Sequence, residues 1–144
     1  MNLQEALEAQ TGGVYRFQPA AVKPRVTENA QRKAVHIRSR NARDKLAFLN
    51  AVAAALCFPD WFGQNWDAFY DCLTERATVG SGCLVIVFDD VSGFARVDPE
   101  EFGAAVDALR DAAEYWEERG SRLIVLIGIE EPLLATDLPE LSAG

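Results

Sequence analysis

Apolar residues along the chain follow two rhythms, and the rhythms alternate. Cys83 to Phe88 and Leu123 to Ile129 are unbroken apolar runs rich in β-branched residues, the pattern of strands buried on both faces. Ala34 to Ile37 is a shorter candidate of the same kind. Between them the apolar spacing changes to three and four. Leu46, Leu49, Val52, Ala53 and Leu56 predict a helix near Asp44 to Leu56. Phe102, Ala105, Val106, Leu109, Ala112, Ala113 and Trp116 predict a longer one. Asp98-Pro99-Glu100-Glu101 begins it with an N-cap, a proline at the first helical position and an acid at the capping-box position. Gly120 stops it. A third helix runs from the cap residue Asn65 to about Arg76. Pro59 and Gly63 keep the stretch before it out of any helix. Val79 to Gly82 is expected as a turn and Asp89 to Val97 as a loop.

The resulting order is strand, helix, helix, strand, helix, strand. Apolar strands separated by helices pair in parallel through right-handed crossovers. The expected architecture is therefore α/β, with a small three-stranded parallel sheet packed with helices over residues 31–130. Residues 1–30 read as an appendage. Leu3 and Leu7 suit one face of a short helix ended by Gly12-Gly13, Val14 to Phe17 alternates weakly as a short edge strand would, and Pro19 and Pro24 bracket a linker. Residues 131–144, with two prolines and little pattern, read as a mobile tail.

Composition narrows the functions. A chain of 144 residues, 49 % hydrophobic, fits one packed domain. Neither apolar run approaches the roughly 20 residues of a membrane span. Met1 to Glu5 has no basic and apolar leader pattern, so a cytoplasmic protein is expected. Cys57, Cys72 and Cys83 are odd in number, with no CxxC pair, and His36 is the only histidine. That set completes no familiar zinc site, predicts reduced thiols, and argues against Cys–His or Ser–His catalysis. No cofactor is expected. The net charge of −8 makes nucleic acid a poor direct partner and a basic protein a plausible one. Solubility alone also accounts for it.

The helix after Asn65 carries the most information. With Trp66 at zero and about 100 degrees per residue, Phe69, Tyr70 and Leu73 fall within about 60 degrees of it, a buried stripe. Asp67, Asp71, Thr74 and Glu75 lie on the other side. Asp67 and Asp71 are four apart, so their carboxylates stand one above the other at some electrostatic cost, which the helix dipole offsets for Asp67 alone. A plain solvated face is one account. A paired-carboxylate enzyme is another, as is a metal site built from Asp60, Asp67 and Asp71, although no glycine-rich phosphate loop or fixed ligand geometry accompanies either. In the preceding loop Trp61 and Phe62 are adjacent and do not readily share one core. Either both tuck under the loop, or one is exposed beside the acids, a feature of protein interfaces.

Phe58-Pro59-Asp60-Trp61-Phe62-Gly63-Gln64-Asn65-Trp66-Asp67-Ala68-Phe69-Tyr70-Asp71-Cys72-Leu73-Thr74 resembles the signature of the barstar family, without a gap over about 17 residues. The resemblance implies a bacterial, intracellular inhibitor of a basic ribonuclease with no chemistry of its own. Asp71 would enter the nuclease active site in place of a substrate phosphate, and Asp67 would meet a basic side chain at the rim. Trp61 and Phe62 would pack on the partner and Gly63 would permit close approach. Asn65, Tyr70 and Glu75 complete the expected contact set, on a monomer forming a 1:1 complex. Two departures stand out. Trp61-Phe62 replaces a tyrosine pair, and residues 1–30 have no counterpart in the family's minimal form. The alternative in a different class is a non-inhibitory regulatory module that offers the same acidic face to another basic protein.

Overall fold

A computed structural model describes residues 1–9, 11–60, 62–77, 82–130 and 137–142. The elements in chain order are α1 (Leu3–Glu8), β1 (Gly13–Phe17), β2 (Arg32–Ile37), α2 (Lys45–Leu56), α3 (Trp66–Glu75), β3 (Cys83–Phe88), α4 (Ser92–Val97), α5 (Pro99–Glu118) and β4 (Arg122–Gly128). The strands form one parallel sheet in the order β1-β4-β3-β2. From β2 to β3 to β4 the chain advances one strand at a time in the same direction. Right-handed crossovers then put all the connecting helices on one face. Alternate residues accordingly serve different cores. Leu84, Ile86, Phe88, Leu123, Val125 and Ile127 pack with α2 to α5, whereas Cys83, Val85, Val87, Ile124 and Leu126 face the opposite side. All six residues of β3 are buried, as its unbroken apolar run requires.

The sheet has four strands rather than the expected three. The extra one is Gly13 to Phe17, which lies along β4 with Val14 beside Val125 and Phe17 beside Gly128. Its five residues carry too short an alternation to weigh much as sequence. Tyr15 and Phe17 join Ala6 and Leu7 of α1 and Leu141 in a second, smaller core. Arg122 on β4 donates to the carbonyls of Leu7 and Ala9 at the C-terminal end of α1, where a cation is favoured.

Within the expected tail, residues 137–142 are packed. Leu138 belongs to the main core and Leu141 to the second. Arg16 N donates to Pro139 O (2.9 Å) and Leu141 N to Arg16 O (2.8 Å), so this segment lies along the outer edge of β1. The Arg16–Glu140 ion pair (3.2 Å) reinforces it. At the other side of the sheet, the outward amides of β2 meet side chains. Ala34 N donates to Glu28 Oε2 (3.1 Å) and Arg32 N to Asn29 Oδ1 (2.9 Å).

Three local expectations change. Asp89 to Val97 is not all loop, because Ser92–Val97 forms α4 and buries Phe94 and Ala95. Its entry is set by Asp89 Oδ1, which accepts from Ser39 N and Oγ, and by Asp90 Oδ1, which accepts from Ser92 N. In α2, Leu46 is 52 % exposed and Phe48 is buried. That helix is apolar nearly all round, so its sequence leaves the buried phase ambiguous. In α5, Pro99 is at the start, but Asp98 makes no side-chain cap, and Glu101 turns to another partner described below. The expected turn at Val79 to Gly82 lies, except for Gly82, outside the described residues.

Candidate functional site

Asn65 starts α3 in the expected way. Its Oδ1 accepts from Ala68 N (2.8 Å), and its Nδ2 donates to Gly63 O (3.1 Å). A Cβ at Gly63 would stand 3.0 Å from that same Nδ2, so the glycine makes room for the cap. Gln64 takes a left-handed backbone (φ 52°) and ties the loop to α2 through Nε2 and Asn50 Oδ1 (2.9 Å). Phe62 is half-buried against Phe58, ring to ring at 5.2 Å. Trp61 lies outside the described residues.

The buried stripe of α3 is Phe69, Cys72 and Leu73, with Trp66 and Tyr70 at its margins. Trp66 packs on Phe48 and Phe69 and donates through Nε1 to Glu101 Oε2 (2.7 Å). This bond draws the acid away from the capping box and joins the start of α3 to the start of α5. Farther along, Trp116 Nε1 donates to Leu73 O (3.0 Å). The two helices therefore lie side by side, tied at two levels, and α3 cannot rotate to hide its acids.

Asp67, Asp71 and Glu75 are all exposed. Asp67 also faces an open groove of about 580 Å³ between α3 and α5. Its opposite wall carries Asp107, Asp111, Glu114 and Glu118, and its floor includes Trp66, Tyr70 and Tyr115. Burial pushes the Tyr70 hydroxyl above its ordinary pKa, and Asp111, Tyr115, Glu118 and Asp71 add to the shift. Tyr70 thus stays a hydroxyl donor at neutral pH, between two rows of carboxylates. Burial likewise raises the Cys72 thiol, with Glu75 and Asp71 pushing further. Cys57 is exposed, and all three cysteines are free.

The acids of α5 escaped the sequence reading. Positions 107, 111, 114 and 118 step by four, three and four, one stripe opposite the buried face. The signal was available, but only the tertiary pairing of α3 with α5 makes it part of one surface. None of the ion pairs among the described residues engages either acidic row. Asp67 lines this groove and Asp71 does not. No group of three His, Cys, Asp or Glu side chains among the described residues is placed to hold a metal, and no described helix is long and apolar enough to cross a membrane.

Residues 32–128 match the family model described as Barstar (barnase inhibitor). The chain belongs to the barstar family. The match begins at β2 and ends with β4, and it contains α3 and the loop before it. No curated protein matches the chain. Membership places the protein, at family level, among ribonuclease inhibitors rather than enzymes, with a ribonuclease as the general class of partner. Residues 1–31 and those beyond 128 lie outside the match, and they supply α1, β1 and the segment 137–142.

Proposed function

We propose that this barstar-family protein binds a cationic ribonuclease through the exposed acidic face of α3 and the loop before it, and blocks the active site without chemistry of its own. The observation that carries the reading is the unneutralised carboxylate surface. Asp67, Asp71 and Glu75 on α3, and the α5 row beside them, have no cationic partner among the described residues. Such a surface costs stability through self-repulsion and is suited to a partner that must be cationic where it binds RNA. Asp71 occupies the centre of the contact, Asp67 and Glu75 flank it, and Tyr70 supplies a hydroxyl. Trp61, Phe62 and Gly63 pack against the partner at the loop, and Asn65 holds the helix start in place. The protein acts in the cytoplasm as a monomer forming a 1:1 complex.

The experiment is RNA cleavage by a panel of small basic ribonucleases, with and without the protein, at low and moderate salt. Stoichiometric inhibition that weakens as salt rises is expected. Asp71→Ala should weaken binding by about 2 kcal/mol or more and Asp67→Ala by about 1, in the order of central and flanking charges. Equal binding by wild type and Asp71→Ala would sink the assignment of roles. Binding to a basic protein with no loss of nuclease activity would favour a regulatory module instead.

A further inference from the structure

A cation, Arg119, closes the C-terminal end of α5 beside the acidic surface. Arg119 follows the last residue of α5, and its guanidinium lies over the Tyr115 ring at 4.6 Å. Its Nη2 donates to the Tyr115 hydroxyl (2.7 Å). The Tyr115 ring in turn meets the Tyr70 ring at 6.4 Å, edge to face, and Tyr70 adjoins Asp71. Two ring contacts thus chain the guanidinium to the centre of the proposed interface. Arg119 is exposed and forms no ion pair with Glu118, Glu114 or Asp111, although they are close in sequence. Its tether is the tyrosine, both as a π face and as an acceptor.

We propose that Arg119 is a specificity-setting residue of this interface, a resident positive charge that opposes cationic side chains at the C-terminal end of the α3–α5 surface. This rests on the inhibitor reading and deepens it. A partner whose basic groups converge on Asp67 and Asp71 avoids the resident charge. A polycation spread along both acidic rows meets it. Discrimination of this kind comes from a repulsive element beside attractive ones, and it acts mainly on the association rate at low salt. The tether matters because a guanidinium held on a ring stays at the interface instead of swinging into solvent.

The test uses association rates measured by stopped flow, with a small basic ribonuclease and with an octa-arginine peptide as separate probes. Wild type is compared with Arg119→Gln, which keeps a hydrogen-bond donor and loses the charge, and with Arg119→Lys, which keeps the charge. At about 20 mM salt, Arg119→Gln should associate with octa-arginine about two- to fivefold faster than wild type. The gain should vanish at about 500 mM, where screening is nearly complete. Arg119→Lys should fall between wild type and Arg119→Gln, because it keeps the charge and loses the planar stacking on the ring. An unchanged or slower rate for Arg119→Gln at low salt overturns the proposal, and so does a gain that survives high salt. If the ribonuclease is bound and inhibited while Arg119→Gln changes nothing, the inhibitor reading stands and the role of Arg119 falls. If no ribonuclease is bound, the inhibitor reading falls and the role of Arg119 falls with it, whatever the peptide shows. Failure of both probes to bind wild type overturns both.

Discussion

Individual side chains decide where the sequence was legible. Asn65 was readable because an N-cap is a local device, involving its own residue and the next few. Leu46 and Phe48 were not, because the sequence Lys45 to Leu56 is apolar on almost every face. What decides between them is the aromatic cluster that Phe48 joins, stacking on Phe88 at 5.1 Å and on Phe94 at 5.0 Å. No window of one helix contains that information. The difference should be large on unfolding in urea. Phe48→Ala removes a fully packed ring and is expected to cost about 3–5 kcal/mol, whereas Leu46→Gln should stay within about 0.5 kcal/mol of wild type. A comparable loss from both would mean that Leu46 is covered in solution.

At the scale of elements, α3 was predicted nearly to its ends, and so was its division into buried and acidic sides. Its place in the proposed interface depends on α5, and the bond between Trp66 and Glu101 was invisible because it displaced a plausible local alternative. Glu101 had the spacing for a capping box, yet its carboxylate satisfies a half-buried indole instead. Leaving that N–H without its acceptor is the larger penalty. Trp66→Phe keeps most of the ring packing and removes the donor. It should lower stability by about 1 kcal/mol and weaken ribonuclease binding, because α3 then loses one of its two indole hydrogen bonds with α5. If stability falls and binding of the ribonuclease is unaltered, the tie serves the fold alone. Helix α4 shows the opposite failure. Its six residues contain a glycine and follow two aspartates, so turn chemistry dominates the local signal, and the burial of Phe94 and Ala95 overrides it.

At the scale of the whole molecule, the order of strands and of the three longer helices from β2 to β4 was legible, and α4 and the number of strands were not. In the N-terminal segment the short helix and the short strand were legible, but the joining of that strand to the sheet and of residues 139–141 to its edge was not. Both joins depend on segments far apart in the chain meeting each other. Leu141 lies against the second core, and Ser142 N donates to Met1 O (2.9 Å). Cooperation of this kind predicts that damage at one end is felt at the other. Leu141→Ala should cost about 2–5 kcal/mol if the layer unfolds with the rest of the molecule. It should also raise amide exchange in α1 and β1 more than in α3. Uniform exchange throughout would show that the second core has no separate opening.

The edges of the sheet carry a further consequence. A parallel sheet with bare flanks is a template on which another chain can crystallise strand by strand. Here one flank is sealed by the backbone of residues 139–141 on β1, and the other is partly stoppered by Glu28 and Asn29 on the outward amides of β2. Fibrous growth would first have to peel away a strand of the protein itself or evict two polar side chains. The sheet is finite by construction, and a concentrated stock should resist the slow conversion to cross-β deposit that an open-edged relative would undergo.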